Sequence, residues 1–181
     1  MAYDSNKWIY FNYEKKHIRY VLGTKGKKTL ICFGINPSTA KPDNLDNTLK
    51  SVERLSLYNG YDSWIMLNVY PQRSTDPDGI HNVIDKKIHN KNLNYIKQIL
   101  SGDIRDVWIA WGTIIERRAF LYNCLFDTYS LLKTYNCNYY SIGKITKRGH
   151  PHHPLYLRSD LIKGKFDLDL YINKLSKSII Y

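Results

Sequence analysis

Short apolar runs alternate with longer segments of helical periodicity along most of this chain. Three of the runs, Thr29–Phe33, Trp64–Tyr70 and Val107–Trp111, have the length and apolar content of buried strands. Between them, Asp46–Tyr58 and Ile84–Leu100 carry apolar residues at roughly helical spacing. Strands that alternate with helices in this way predict an α/β fold, in which helices cover both faces of a mostly parallel sheet.

The other predicted elements complete a single domain. No internal repeat or flexible linker divides the 181 residues, and a chain of this length can bury a proper core. We therefore predict one domain over residues 29–181, preceded by an N-terminal extension over residues 1–28. Two further strands are predicted, one in the extension at His17–Leu22 and a fourth sheet strand at Asn138–Ile142. Two further helices are predicted, one capped by Thr113 that runs to Leu125 and a closing helix at Asp167–Ile180.

The charge of the chain points to an anionic partner. Lys and Arg number 27 against 16 Asp and Glu, which gives a formal net charge of +11 at pH 7. A strongly basic protein attracts polyanions such as nucleic acid, although a lysine-rich surface without any such partner has the same composition. The 16 tyrosines could stack on bases or fill the core. Composition therefore leaves DNA open as a partner without identifying it.

Several classes of protein are disfavoured by features that the sequence lacks. The N-terminal residues do not have the basic-then-apolar order of a signal peptide, and no apolar run is long enough to span a membrane. We therefore expect a cytoplasmic protein with no membrane partner. Cys32, Cys124 and Cys137 are far apart and odd in number, which argues against a disulfide framework, a zinc site and an iron–sulfur cluster. We predict no cofactor and no metal.

The segment Lys144–Arg158 is basic and rich in His and Pro. Such a loop could approach phosphates or an acidic protein. Its histidines, His150, His152 and His153, could instead bind a metal, but no carboxylate or thiolate accompanies them, which disfavours that interpretation. A solvated surface loop without a ligand is the remaining alternative.

Four short segments stand at the predicted strand ends, where α/β folds bind their ligands. Leu30–Ser38 has the sequence Leu-Ile-Cys-Phe-Gly-Ile-Asn-Pro-Ser, and Met66–Val69 has Met-Leu-Asn-Val. Trp108–Gly112 has Trp-Ile-Ala-Trp-Gly, and Gly149–Leu155 has Gly-His-Pro-His-His-Pro-Leu. In this order the segments resemble the motifs of the uracil-DNA glycosylase superfamily. The resemblance implies a three-layer sandwich around a central, mostly parallel four-stranded sheet.

The resemblance also implies roles for particular side chains. Asn36 and His150 would occupy the catalytic positions, with His150 donating to the base as negative charge develops on it. The amide of Asn68 would recognise the edge of the base, since an amide can pair with a donor and an acceptor at once. The residues that would form the base pocket are Gly34, Ile35, Pro37, Ser38 and Asn68.

The sequence departs from the pattern of that superfamily at several of these positions. Asn36 stands where the main branch has an Asp, and a neutral amide cannot act as a general base. Ser38 replaces the tyrosine that screens out thymine. One residue inserted in the last motif leaves either His150 or His153 for the electrophile position, and we favour His150 because Pro151 follows it. These changes predict weak or absent excision of uracil.

A second resemblance covers the same loops. An uncharacterised bacterial and phage family has Asn-Pro-Ser-Thr-Ala, found here at Asn36–Ala40, followed by Asp-x-Thr, found here at Asp46 and Thr48. The family also has the ending His-Pro-x-His-Pro-Leu-Tyr-Leu, which corresponds to His150–Leu157. This resemblance identifies relatives but implies no function.

Three functions are compatible with these features. We favour a glycosylase-shaped pseudo-enzyme that binds an acidic, DNA-mimicking glycosylase inhibitor or DNA and excises little or no uracil. The alternative is an active glycosylase for uracil or a modified base, using Asn36 and His150. The third is a nucleic-acid-binding module without chemistry, whose binding would fall steeply as salt rises. The residues predicted to contact DNA or the inhibitor are Lys147, Arg148, His152, His153, Pro154, Leu155, Tyr156 and Arg158.

Overall fold

The structure, a computed structural model, describes residues 3–104 and 106–179. The strands in this part of the chain are β1 (Trp8–Tyr13), β2 (Ile18–Thr24), β3 (Thr29–Gly34), β4 (Ser63–Asn68), β5 (Asp106–Ile109), β6 (Asn138–Ile142) and β7 (Lys163–Lys165). The α-helices are α1 (Asn47–Tyr58), α2 (Lys86–Leu100), α3 (Ala119–Leu132) and α4 (Leu168–Ile179). Short 3₁₀ helices cover Glu14–Lys16, Pro77–Gly79 and Gly112–Arg117.

All these strands join one sheet, in the order β1-β2-β4-β3-β5-β6-β7. The neighbours β4, β3, β5 and β6 run parallel to one another. The pairings β1–β2, β2–β4 and β6–β7 are antiparallel. Because β4 lies on one side of β3 and β5 on the other, the connections after β3 and β4 diverge. Such a divergence opens a crevice beyond the carboxyl ends of the strands, where α/β folds bind ligands.

Helices cover both faces of the sheet. α1 packs on one face through Leu49, Val52 and Leu55, in a core cluster that includes Trp64 and Trp108. α2, α3 and α4 contribute to a larger core cluster on the other face. Each buried side chain of this size stabilises the fold by about 1.5–3 kcal/mol, so the two cores hold the helices in place. In the described part of the chain, no helix has both the length and the apolar character needed to cross a membrane.

Aspartate side chains begin two of the helices. Asp46 Oδ1 accepts a hydrogen bond from the backbone N–H of Leu49 at 2.9 Å and so caps α1. Asp85 Oδ1 caps α2 by accepting from the N–H groups of Lys87 and Ile88, at 2.9 and 3.2 Å. The first N–H groups of a helix have no partner within it, and these carboxylates satisfy them.

The helix predicted to begin at Thr113 begins later. Gly112, at a φ of +62°, opens the 3₁₀ helix that ends at Arg117, and Arg118 is extended before α3 starts at Ala119. The Arg118 Nη2 donates to the backbone carbonyl of Asp78 at 2.6 Å. This tertiary contact holds the extended residue in place and divides the predicted helix in two.

The predicted α/β class is confirmed, but the predicted four-stranded, mostly parallel sheet of the glycosylase type is wrong. Seven strands of the described residues form the sheet, and three of its six pairings are antiparallel. β1 and β2 come from the segment predicted as an N-terminal extension. The edge strand β7 has the polar sequence Lys-Gly-Lys. Edge strands are paired on one side only and need no continuous apolar run, so the hydrophobic pattern does not reveal them.

Candidate functional site

One cavity opens at the carboxyl ends of β3 and β4, and we call it the carboxyl-edge cavity. Its volume is about 320 Å³, which is within the range of small-molecule sites. It lies between the end of β3, the N-terminus of α1 and the segment 150–157, which we call the His-Pro segment. Its polar lining residues are Arg19, Asn36, Ser38, Asp46, Thr48, Ser74, Thr75 and His153.

Larger depressions elsewhere on the surface are less suited to a ligand, as two of them show. One of about 710 Å³ adjoins the turn between β2 and β3, and one of about 750 Å³ surrounds Asp43. Among the described residues, none that lines either depression has a buried polar side-chain atom without a hydrogen-bond partner. The carboxyl-edge cavity is lined by Arg19, whose buried Nε lacks a partner. An unpaired buried donor costs free energy, so a ligand is expected here rather than in the depressions.

The residues predicted for the base pocket divide between the cavity and the core. Gly34, Asn36 and Ser38 line the cavity. Ile35, the first residue after β3, is buried in the core cluster on the opposite face. Pro37 is buried, and its backbone carbonyl accepts from a neighbouring loop.

Gly34 and Asn36 give the cavity its floor. A Cβ atom on Gly34 would stand 2.6 Å from Cε of Met66 and 3.1 Å from Oδ1 of Asn68, so a larger residue would displace its neighbours. The Asn36 Nδ2 donates to the carbonyl of Ser74 at 3.0 Å and to that of Pro37 at 3.2 Å. The amide nitrogen is therefore occupied, and Oδ1 is the atom that Asn36 offers to a ligand.

The side chain of Asn68 lies behind this floor. It is fully buried, and neither Oδ1 nor Nδ2 has a partner among the described residues. Its backbone carbonyl accepts from Nδ2 of Asn92 at 2.7 Å, which fixes the end of β4. Met66, not Asn68, reaches the cavity wall.

Two arginines converge beside the cavity. The Nη1 of Arg19 donates to the carbonyl of Ala40 at 3.2 Å, and the Nη1 of Arg73 donates to the same oxygen at 3.1 Å. Arg73 Nη1 also donates to the carbonyl of Ser38 at 2.6 Å. Burial, together with the charge of Arg73, lowers the pKa of Arg19 to about 9, so Arg19 is still charged at pH 7. The loop between β3 and α1 is thus held by two positive groups.

The N-terminus of α1 points at the same cavity. Thr48 and Leu49 of its first turn line the wall beside the capping residue Asp46. The Asp46 Oδ2 also accepts from the backbone N–H of Ala40, at 3.4 Å. Both oxygens of this carboxylate are therefore engaged by backbone N–H groups. The positive end of the helix dipole adds to the arginine charges.

His153 presents a neutral donor to the cavity. Its Nδ1 accepts from the backbone N–H of Leu155 at 3.2 Å, which places the proton of the neutral ring on Nε2. Burial, together with the neighbouring His152, lowers the pKa of His153 to about 4, against the opposing effect of Asp46. The ring is therefore uncharged at pH 7 and offers an N–H at Nε2.

His150 lies in a separate buried network. Its Nε2 donates to Oε1 of Glu116 at 2.7 Å, and its Nδ1 lies 2.8 Å from the hydroxyl of Tyr171. That hydroxyl accepts from Nε1 of Trp111 at 3.0 Å. His150 does not line the cavity that Asn36 lines, so the structure does not bring the predicted catalytic pair into one site. Its contacts attach the His-Pro segment to α4 and to the helix before α3.

The residues predicted to bind DNA or an inhibitor have mixed environments. Lys147 is exposed, and Tyr156 is 90% exposed with a left-handed backbone at a φ of 66°. Arg148 and Arg158 are exposed and form ion pairs, at 2.6 Å to Glu116 and 2.5 Å to Asp160. Three other predicted residues are less exposed. Leu155 lines the cavity, and Pro154 is buried. The Nδ1 of His152 donates to the backbone carbonyl of His153.

The described residues offer no ready group of metal ligands. Among them, no three His, Cys, Asp or Glu side chains are arranged so that they could hold a metal ion. Cys32 and Cys124 are buried, and burial raises the pKa of both thiols, which makes them poor nucleophiles at neutral pH. Cys137 is partly buried.

The arginines of the cavity were missed by the sequence prediction. A signal for Arg19 does exist, since it is a charged residue inside the apolar strand predicted over His17–Leu22, and a fully buried charge is rare unless it has a function or a partner. Arg73 lies in a polar loop and gives no such signal. The sequence analysis identified Asp46 and Thr48 as part of a motif, but the sequence around them gives no sign that they line a cavity.

Comparison with known proteins shows to which family the chain belongs. No curated protein and no solved structure matches it. The predicted kinship with the uracil-DNA glycosylase superfamily is wrong, because the family model that matches is a different one. That model is described as "Protein of unknown function (DUF1643)", and it matches residues 19–155, well over half of the 181-residue chain. This protein therefore belongs to the DUF1643 family.

Proposed function

We propose that the protein binds single-stranded nucleic acid at the carboxyl edge of its sheet and performs no chemistry on it. The observation that carries the proposal is Tyr156. Its ring is 90% exposed and its backbone is left-handed, a conformation that costs a non-glycine residue about 1–2 kcal/mol. Among the described residues, the side chain of Tyr156 has no hydrogen-bond or ring partner. An exposed ring held at a fixed position is a suitable platform on which a base can stack.

The neighbours of Tyr156 hold it at the cavity. Leu155 lines the carboxyl-edge cavity, and Leu157 is buried in the core cluster beneath α1. The turn is closed by the N–H of Leu157, which donates to the carbonyl of Pro154 at 3.3 Å, and the carbonyl of Leu157 accepts from Arg54 at 2.9 Å. A nucleotide stacked on Tyr156 would therefore lie beside the mouth of the cavity.

The electrostatics of this edge favour a polyanion. Lys144 and Lys147 are exposed and have no carboxylate within ion-pair distance among the described residues. Arg148 and Arg158 do have such partners, but an exposed ion pair contributes only about 0–1 kcal/mol. Either arginine could exchange its carboxylate for a phosphate at little cost. These residues and the net charge of +11 provide the attraction on which nucleic-acid binding depends.

Binding without chemistry fits the cavity better than base excision does. Asn36 is a neutral amide, and His150 lies in the Glu116 network rather than at the cavity. The one carboxylate in the lining, Asp46, accepts two backbone N–H groups and is needed as a helix cap. None of these groups is free to act as a general base.

The test is fluorescence anisotropy with labelled single-stranded and double-stranded oligonucleotides over about 50–200 mM salt. We expect tighter binding of the single strand and a steep loss of affinity as salt rises. Tyr156→Ala should weaken single-strand binding about tenfold, since a stacked base contributes about 1–3 kcal/mol. Tyr58→Ala is the matched control, because Tyr58 is exposed at the far end of α1. It should leave the affinity unchanged.

Other outcomes of this experiment would overturn or change the proposed function. No binding of either oligonucleotide at low salt would overturn the proposal. If an acidic, DNA-mimicking protein then bound, the same charges would serve a protein partner instead. Release of uracil or a modified base from the oligonucleotide would contradict a function limited to binding.

A further inference from the structure

Arg19 is a buried charge with most of its donors unused. Its side chain is 1% exposed, and its recorded hydrogen bond is the one from Nη1 to the carbonyl of Ala40. The Nε has no partner in the described part of the chain. A guanidinium has five N–H donors, and burying them unpaired is costly unless another acceptor enters. Arg19 lines the carboxyl-edge cavity, so an acceptor in that cavity could meet it.

The fixed charges around Arg19 leave an excess of positive charge. Arg73 donates to the same carbonyl of Ala40, and its Nη2 donates to the hydroxyl of Tyr10 at 2.7 Å. Among the described residues, neither arginine has a carboxylate within ion-pair distance. The carboxylate of Asp46 attracts Arg19, and that of Glu14 attracts Arg73, only through longer-range electrostatic interactions. Both carboxylates are already engaged by other groups, so the two guanidinium groups leave an excess of positive charge that favours an anionic ligand.

Further donors face the same space. Thr48 belongs to the first turn of α1, a helix of 12 residues whose positive end points at the cavity. Ser38 lines the cavity as well, and Nε2–H of His153 is available because Nδ1 accepts from Leu155. Buried guanidinium, hydroxyl groups and a helix N-terminus together are the donor set that proteins use for phosphate.

We propose that the carboxyl-edge cavity binds the terminal phosphate of a nucleic-acid strand, with Arg19 in its lining as the main contact. This inference rests on the proposed function and specifies the feature that the protein recognises. A phosphate inside a strand is flanked by two sugars and cannot reach a side chain that is 1% exposed. A terminal phosphomonoester protrudes from the strand and carries more negative charge. Tyr156 would stack on the adjoining base.

The experiment compares three single-stranded oligonucleotides of one sequence, labelled internally. One carries a 5′-phosphate, one a 3′-phosphate, and one hydroxyl groups at both ends. We expect one of the phosphorylated strands to bind about tenfold or more tightly than the hydroxyl strand, since a charged hydrogen bond contributes about 1.5–3 kcal/mol. Inorganic phosphate should compete with that strand and should raise the Tm of the protein.

Variants locate the phosphate. Arg19→Met should abolish the preference for the phosphorylated end, so that this variant binds the phosphorylated and the hydroxyl strands with equal affinity. Because Arg19 is buried, thermal unfolding must show that this variant folds. If it does not fold, the test relies on Thr48→Val. This substitution removes one hydroxyl group at nearly constant shape and should reduce the preference for the phosphorylated strand several-fold. Thr113→Val, at an exposed threonine outside the cavity lining, is the matched control and should keep the full preference.

The failures of the two proposals can be told apart. Equal affinity for all three strands, with no effect of inorganic phosphate on Tm, would overturn the phosphate site and leave nucleic-acid binding intact. Stabilisation by inorganic phosphate that Arg19→Met removes, without binding of any oligonucleotide, would overturn the proposed function and assign the cavity to a small phosphate ester. A preference that survives in both Arg19→Met and Thr48→Val would place the phosphate elsewhere and so overturn the inference.

Discussion

His150 and His153 are three positions apart and occupy different environments. His150 is 3% exposed and is held between the carboxylate of Glu116 and the hydroxyl of Tyr171. His153 faces the carboxyl-edge cavity, and its Nδ1 accepts from the N–H of Leu155. Sequence order favoured His150 as the functional histidine because a proline follows it. The hydrogen bonds instead give His150 a structural position and leave Nε2 of His153 for a ligand.

We predict that His153 makes the folded protein less stable in mild acid. The pKa of its folded state, about 4, lies below the usual 6.5. As the pH falls below 6.5, the unfolded chain binds a proton that the folded chain does not, so the free energy of unfolding decreases between pH 6.5 and about 4. At about 1.4 kcal/mol per pKa unit, the loss amounts to roughly 3 kcal/mol.

Urea unfolding at several pH values, with His153→Gln beside the wild type, measures this effect. The variant should lose less stability than the wild type over that pH interval. NMR titration of the wild type should place the midpoint for the His153 ring near pH 4. A midpoint near 6.5 would show that the ring is not desolvated and would contradict the prediction.

At the scale of elements, the start of α1 connects the stability of the fold to the cavity. Asp46 caps the helix through Oδ1 and binds the N–H of Ala40 through Oδ2. The first turn of α1 therefore has a fixed position relative to the loop after β3. Asp85 caps α2 in the same manner but does not line the cavity. The two caps form a natural pair for comparison.

We predict that Asp46→Ala lowers the free energy of unfolding by about 1 kcal/mol or somewhat more, because the loop loses its bond to Ala40 together with the cap. Asp46→Asn should lose less stability than Asp46→Ala, since asparagine caps helices as well as aspartate does, although its amide nitrogen cannot accept from the N–H of Ala40. Asp85→Ala should cost about the same as Asp46→Ala and leave ligand binding unaffected. Urea unfolding of the three variants checks the order. Equal losses in Asp46→Asn and Asp46→Ala would show that capping is not the contribution of Asp46.

At the scale of the whole molecule, β1 and β2 join the sheet that contains the cavity. β2 pairs with β4 and contributes Arg19 to the cavity lining. Its apolar side chains Ile18, Tyr20, Val21 and Leu22 are almost fully buried in the two cores. β2 is thus buried as the central strands are, while β1 is only partly buried.

We predict that a chain of residues 29–181, the domain expected from the sequence, does not fold. It lacks four core side chains worth about 1.5–3 kcal/mol each, a sum comparable to the whole stability of about 5–15 kcal/mol. It also leaves an edge of β4 unpaired, which promotes aggregation. Circular dichroism and limited proteolysis check this prediction, with a chain that starts at Lys7 as the folded control. Cooperative unfolding of residues 29–181 would support the predicted boundary instead.

Local sequence patterns predicted most of the helices and strands. The predicted strand Asn138–Ile142 coincides with β6, and β3, β4, α1 and α2 overlap the segments predicted for them. Periodicity reports which face of an element is buried, and that is a local property. β1 was not predicted, and β7 is too short and polar to give a signal. Gly34, Asn36 and Ser38 line the cavity at the end of a predicted strand, which is where α/β folds bind ligands.

The sequence by itself determined the α/β class, the strand-end loops and the strongly basic character of this protein. Only the tertiary structure decided which polar groups meet. Arg19 and Arg73 are distant in the chain and share the carbonyl of Ala40, while His153 rather than His150 completes the cavity wall. These pairings depend on how loops from different strands pack together. No periodicity within one segment carries that information, because the partners belong to separate segments.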